Sequence, residues 1–154
     1  FLVTHNDGHQ VSARCLLDTG SEANFITEDF VQKIKLVREK STGTIQALGA
    51  TMPNQTNGRT TLNVTLSNRE RKSFQSHIIT KITGNLPNAF VPRSTFAELF
   101  SQFPELECNR HLADVNFNLP SSVDCLLGVV ETNDLMLGGN IRHENIMLSN
   151  TKCG

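Results

Sequence analysis

The stretch from residue 16 to residue 21 reads Leu16-Leu17-Asp18-Thr19-Gly20-Ser21, and the interpretation of the whole chain starts from it. A carboxylate follows two apolar residues, and small turn-forming residues follow the carboxylate. Consecutive apolar residues ahead of a turn signal are typical of a buried strand. We therefore expect Asp18 where a strand leaves the core and enters a tight turn. Because Asp-Thr-Gly alone is common by chance, its surroundings must support that interpretation.

The residues on either side of the motif predict strands and one helix. Residues 1–17 predict two strands around Asn6-Asp7-Gly8, since Asp-Gly between apolar segments is a hairpin signal. After the motif, residues 23–36 have near-helical apolar spacing. Thr27 is the expected N-cap of a short helix there, with Glu28 and Asp29 in its first turn.

The middle of the chain predicts a β block. Segments 44–48, 60–66 and 74–82 are rich in β-branched and apolar residues. Between the first two segments, residues 49–58 include most of the residue types that form turns. We interpret this polar excursion as a mobile hairpin, or lid.

A second apolar segment that ends in glycine, Leu126-Leu127-Gly128, lies near the far end of the chain. It closes a buried strand predicted from Val123 onward. Ahead of it, residues 95–103 have the spacing of an amphipathic helix, with Ser94 or Thr95 as its cap. Residues 145–149 predict a last strand. The fold class is therefore mainly β, with one or two short helices.

Length and composition limit the classes of protein that need to be considered. The 154 residues suit one domain, residues 1–154, and the formal net charge is −1. Charged residues are only 19% of the chain, which argues against a disordered segment, a coiled coil or a nucleic-acid-binding tail. No apolar run approaches the ~18 residues of a membrane span. We expect neither nucleic acid nor membrane among the partners.

The four cysteines indicate buried thiols rather than a metal centre. None forms a Cys-x-x-Cys pair, and Cys15 and Cys125 both lie in apolar runs, as small buried residues do. Cys108 and His111 have a spacing that zinc can use, but a second pair of ligands is missing from the pattern. No metal and no cofactor are predicted. Reduced thiols favour an intracellular, cytoplasmic location.

The motifs together resemble the retropepsin-like aspartic proteases, and within them the protease of Bel/Pao long-terminal-repeat retrotransposons. The resemblance covers most of the chain. It is carried by Cys15-Leu-Leu-Asp-Thr-Gly-Ser-Glu-Ala-Asn-Phe-Ile26, by Leu86-Pro87, by Leu112-Ala113-Asp114 and by Val123-Asp-Cys-Leu-Leu-Gly128. It implies a domain that belongs to a Gag-Pol-type polyprotein, which fits a chain that begins at Phe1.

The resemblance also implies a fold and a reaction. The fold is a closed β-barrel with a flap hairpin, and the reaction is peptide hydrolysis by water activated between two aspartates. Peptide hydrolysis by carboxylates needs two of them, one acting as base and the other as acid. Because the chain has one Asp-Thr-Gly motif, the simplest arrangement is a homodimer in which each subunit contributes Asp18.

The roles of other residues follow from the same resemblance. Thr19 would join the two loops across the dimer axis, Gly20 would allow close approach of substrate, and the Ser21 hydroxyl would donate to the outer oxygen of Asp18. Such a bond favours the ionised carboxylate, so we expect activity into moderately acidic pH. Glu22 matches a position that contacts substrate or an interface arginine. The flap would contribute Leu48, Gly49, Ala50, Thr51 and Met52, and the second apolar-Gly motif Leu126, Leu127 and Gly128.

Two features depart from the family pattern, and two alternative functions stay open. Many retroviral relatives have arginine after the second motif, whereas Val129-Val130-Glu131 follows here, so that ion pair is not carried over. Pro53 is also unusual in a flap. The alternatives are a catalytically silent module that dimerises or binds peptides, and a domesticated cellular protease.

Overall fold

Strands dominate the computed structural model, which describes residues 1–4, 8–45, 54–104, 112–143 and 146–153. The strands are β1 (Leu2–Thr4), β2 (Gln10–Ser12), β3 (Cys15–Leu17), β4 (Phe25–Thr27), β5 (Thr44–Ile45), β6 (Asn54–Gln55), β7 (Arg59–Thr65), β8 (Arg71–Ile79), β9 (Cys125–Leu127), β10 (Ile141–His143) and β11 (Ile146–Leu148). The helices are α1 (Glu28–Lys33), α2 (Ala97–Gln102) and α3 (Val129–Leu135), and a 3-10 helix at Arg93–Phe96 leads into α2.

Seven of these strands form one curled, half-barrel sheet in the order β2-β1-β7-β8-β4-β9-β3. β3 runs parallel to β9, and β4 runs parallel to β8 but antiparallel to β9. The prediction of a mainly β fold is confirmed. The closed barrel is not what the described residues form, because their hydrogen-bonded ladder ends at β2 and at β3.

One face of the sheet packs against α1 and forms the core. Ile26 of β4, Ile78 of β8 and Leu127 of β9 are fully buried on this face. Phe30 and Ile34, from α1 and its C-terminal end, cover them and are themselves 2% and 1% exposed. Burial of such side chains stabilises each by roughly 1.5–3 kcal/mol relative to exposure. The core therefore fixes β3 and β9, the two strands that lead into the motifs.

Several local predictions are confirmed. Thr27 is the N-cap of α1, where its hydroxyl accepts a hydrogen bond of 3.3 Å from the Phe30 N–H. β1 and β2 pair as the predicted antiparallel hairpin, whereas the tip residues Asn6 and Asp7 lie outside the described residues. The predicted last strand is present as β11, paired with β10.

The helix predictions need correction. The strand predicted from Val123 ends at Leu127, and α3 begins at Val129, so the described residues contain three α-helices rather than one or two. Phe25 and Ile26, assigned by spacing to the first helix, form β4 instead. The helix predicted at 95–103 begins as the 3-10 turn after Pro92, and neither Ser94 nor Thr95 caps it.

The predicted lid is described only at its base. β5 and β6 pair there, with Thr44 opposite Gln55. Among the described residues, no helix has both the length and the apolar character needed to cross a membrane. The flap residues Leu48, Gly49, Ala50, Thr51 and Met52 lie outside the described residues, as do Cys108 and His111.

Candidate active site

Asp18 lies directly after β3, where the chain leaves the sheet. Its backbone N–H donates to the Leu127 carbonyl at 3.0 Å, which extends the β3–β9 pairing by one bond. The Gly20 N–H then donates to Asp18 Oδ1 at 2.8 Å. A short side chain that accepts from the backbone two residues on stabilises a tight turn. The loop thus fixes one carboxylate oxygen of a partly buried aspartate by its own backbone.

Gly128 lies beneath this loop and allows its close approach. A Cβ at this position would be 2.8 Å from the Ser21 carbonyl oxygen and 2.9 Å from that of Ala23. Real Cβ atoms do not come so close to backbone oxygen, so only glycine fits without movement of the loop. The glycine of the second motif is therefore required by the loop of the first.

Asn24 connects the loop to the two neighbouring strands, and the sequence analysis missed it. The side chain is 6% exposed. Its Oδ1 accepts from the Gly128 N–H at 2.8 Å, and its Nδ2 donates to the Gln75 carbonyl at 3.0 Å. Buried polar groups are stable only when such bonds are made. A polar residue ahead of the apolar pair Phe25-Ile26 was the available signal for it.

The start of α3 holds the loop from the other side. The Val129 N–H donates to the Ser21 carbonyl at 2.7 Å. Thr132, which is fully buried, donates its hydroxyl to the Leu127 carbonyl at 2.8 Å. The residue after Gly128 is Val129, and its main-chain hydrogen bond anchors the loop.

The role predicted for the Ser21 hydroxyl is wrong in this structure. Ser21 Oγ donates to the Ala23 carbonyl at 2.8 Å rather than to the outer oxygen of Asp18. A hydroxyl has one hydrogen to donate, so this local bond excludes the predicted one. Ser21 supports the shape of the loop, and the Gly20 N–H provides the hydrogen bond to the carboxylate.

The other predicted site residues divide by exposure. Thr19, Gly20 and Glu22 are exposed around Asp18. Leu126 and Leu127 are 8% and 0% exposed. The leucines of the second motif therefore position the strand beneath the site rather than line an open surface.

Arg14 organises the region on the other side of β3, and it too was missed. Its Nε donates to Asp114 Oδ2 at 2.6 Å, its Nη1 to the Leu86 carbonyl at 2.7 Å and its Nη2 to the Asn116 carbonyl at 2.7 Å. The structure thereby brings together the Leu86-Pro87 and Leu112-Ala113-Asp114 segments, which the sequence analysis connected only by resemblance. A planar guanidinium with five donors suits such a junction.

Asp124 accepts from the Arg14 backbone N–H at 2.8 Å, just ahead of β9. Burial raises the pKa of Asp124, and the hydrogen bond from Arg14 opposes that rise. β3 is thus held at both ends. The residue before it, Arg14, bonds to Asp124, and the residue after it, Asp18, bonds to Leu127 of β9.

Within the described parts of the chain, no cluster of three or more His, Cys, Asp or Glu side chains could hold a metal ion. Comparison with known proteins found no match to a family model, to a curated protein or to a solved structure. The proposed function therefore rests on the geometry around Asp18 and on the resemblance of the motifs.

Proposed function

We propose that the protein is an aspartic endopeptidase that acts as a homodimer. The observation that carries the proposal is the placement of Asp18. It is a partly buried carboxylate at a strand end, with one oxygen held at 2.8 Å by the Gly20 N–H and with Gly128, Asn24 and α3 supporting the loop. A rigid support of this kind suits a carboxylate that must keep its orientation during reaction.

Two such carboxylates can divide the acid and base roles of peptide hydrolysis. Like charges about 3 Å apart cannot both ionise, so the pair shares one proton, as is general for aspartic proteases. The ionised Asp18 takes a proton from water while the protonated Asp18 donates to the carbonyl oxygen of the peptide. The tetrahedral intermediate then breaks as the leaving nitrogen receives a proton.

The second carboxylate would come from a second copy of the chain. A single Asp-Thr-Gly motif is present, and a two-fold axis beside Asp18 would bring two of them together. The exposure of Thr19 and of Val130, which is 69% exposed close to the loop, supports a surface that a partner covers. An apolar side chain in that place favours association because association removes it from water.

The proposed substrate is the polyprotein of a Bel/Pao-type retrotransposon, processed in the cytoplasm. An extended peptide would bind over Asp18, with Glu22 near its main chain. Cleavage of a cellular protein by a domesticated copy would use the same site and chemistry.

The experiment compares purified wild-type protein with Asp18→Asn on an unstructured polyprotein segment at several pH values. Asn matches the shape of Asp but cannot act as a base, so we expect cleavage by the wild type alone. The rate should rise faster than linearly with protein concentration where dimerisation limits it. Peptide binding without cleavage by both proteins would instead support a catalytically silent module. A circular dichroism spectrum shared by the two proteins controls for folding.

A further inference from the structure

Three of the four cysteines, Cys15, Cys125 and Cys153, lie in or against the core near the loop around Asp18. Cys15 of β3 and Cys125 of β9 are register partners in the parallel ladder, and their thiols donate to the carbonyls of Leu16 and Arg14. Cys153 packs against the same core and lines the same cavity as Cys15. All three are free thiols, and the proposed peptidase chemistry uses none of them.

The cluster is reached from one side through a cavity of about 540 Å³. Cys15 and Cys153 are among the residues that line this cavity, whereas Cys125 is not among them and is fully buried. Aromatic and aliphatic side chains make up much of the wall, including Phe96, Leu99, Phe100, Ile141 and Leu148. A small oxidant that enters the cavity therefore meets Cys15 before it can meet Cys125.

We propose that the Cys15–Cys125 pair is an oxidation site, in which a hydroperoxide converts the two thiols into a disulfide that joins β3 to β9. The Cys15 sulfur attacks the peroxide, the O–O bond breaks, and a sulfenic acid and water (or an alcohol) form. The Cys125 sulfur then attacks the Cys15 sulfur. The S–O bond breaks, a second water leaves, and the disulfide forms.

The geometry of the ladder permits this bond. Neighbouring strands are about 4.7–4.9 Å apart, and disulfides accept Cα separations of about 4.4–6.8 Å. Register partners also project to the same face of the sheet, so only side-chain rotation and a small approach are needed. Cys153 has no such ladder position, because the described residues place it outside the named strands.

The environments of the thiols also favour oxidation of Cys15 first, followed by attack of Cys125. The neighbouring Cys15 thiol and complete burial raise the pKa of Cys125, and burial raises the pKa of Cys153. A buried thiol with a raised pKa is a poor first target for an oxidant. Cys125 is therefore the resolving thiol, and Cys15 is the thiol that the oxidant reaches first.

The test uses the full chain with Cys108→Ser, which removes the fourth cysteine, treated with hydrogen peroxide and digested for mass spectrometry. We expect a linked peptide pair containing Cys15 and Cys125, reversed by a dithiol reductant. Because the bond closes a long loop, the thermal midpoint should rise by about 4 °C or more on oxidation. Neither measurement depends on peptidase activity.

Matched variants separate the three thiols. Cys125→Ala should leave a sulfenic acid on Cys15, trapped by dimedone, and Cys15→Ala should abolish both products. Cys153→Ala, the control, should form the disulfide as before. A Cys15–Cys153 linkage, or peroxide-treated protein that keeps all three thiols, would overturn the proposal. If Cys125→Ala does not fold, the Cys15→Ala and Cys153→Ala comparison still decides between the two linkages.

Discussion

The loop around Asp18 and the β10–β11 hairpin differ in how they are held. Beneath the loop, Gly128 and the buried Asn24 make bonds that cross between three parts of the chain. The hairpin forms a separate two-stranded sheet, and its Met147 is 63% exposed. At its base, Asn150 Nδ2 donates to the Gly138 carbonyl at 3.0 Å on the surface. Buried polar bonds therefore hold the loop around Asp18, whereas an exposed bond lies at the base of the hairpin.

The largest effect in this comparison is expected from Gly128→Ala. The new Cβ would lie 2.8 Å and 2.9 Å from two backbone oxygens, so the loop must move away from β9. We expect the free energy of unfolding to fall by about 3 kcal/mol, measured by urea denaturation, and cleavage activity to be lost. The matched change is Gly138→Ala, where no atom lies within 4 Å of the added Cβ. If Gly128→Ala and Gly138→Ala lower the free energy of unfolding equally, the loop around Asp18 is not more closely packed than the hairpin.

A smaller effect is expected from Asn24→Ala. The change leaves the Gly128 N–H and the Gln75 carbonyl without their bonds in a buried place. Unfolding should become easier by about 2 kcal/mol. The matched Asn150→Ala change removes an exposed bond in the hairpin and should cost about 0.5 kcal/mol or less. Thermal melts of both variants and of the wild type measure the two losses of stability. A larger loss in Asn150→Ala than in Asn24→Ala would contradict the prediction.

The smallest expected effect concerns pH. Burial, and to a lesser degree Arg59, lower the pKa of His77 below its ordinary value of 6.5. The unfolded chain therefore binds the proton more readily than the folded chain, so stability falls as the pH drops below about 6.5. His77→Leu should reduce this loss, in urea midpoints measured between pH 7 and pH 5.

The control for His77 lies in the hairpin, where His143 Nε2 lies 3.2 Å from Glu98 Oε2. His143→Gln is the matched histidine substitution, and its urea midpoints are measured over the same pH range. A His77→Leu protein with an unchanged pH slope would show that His77 does not cause the loss.

Local signals in the sequence predicted local structure well. Thr27 with Glu28 and Asp29 predicted the start of α1, because the cap bond and the helix lie within a few residues. The helix α3 was missed since Val129 and Val130 continue an apolar, β-branched run that favours a strand. Its start is fixed instead by the Val129 bond to the distant Ser21 carbonyl.

In the candidate site, the position of Asp18 could be predicted from the sequence, but the residues that hold its loop could not. The apolar pair before Asp18 indicated the strand end, which the structure confirms as β3. Arg14 and Asn24 act through partners 50 or more residues away, and no local pattern encodes such partners. The Ser21 hydroxyl was predicted to donate to Asp18, and only the folded loop determines that it donates to the Ala23 carbonyl.

The most direct test of the central claim is a mixing experiment. Wild-type protein at a fixed concentration is equilibrated with increasing amounts of Asp18→Asn, and the cleavage rate of a polyprotein peptide is measured. If each active site needs one Asp18 from each of two chains, mixed dimers are inactive and excess variant suppresses the wild-type rate. A rate that stays constant while the variant is folded and in excess would contradict the shared site.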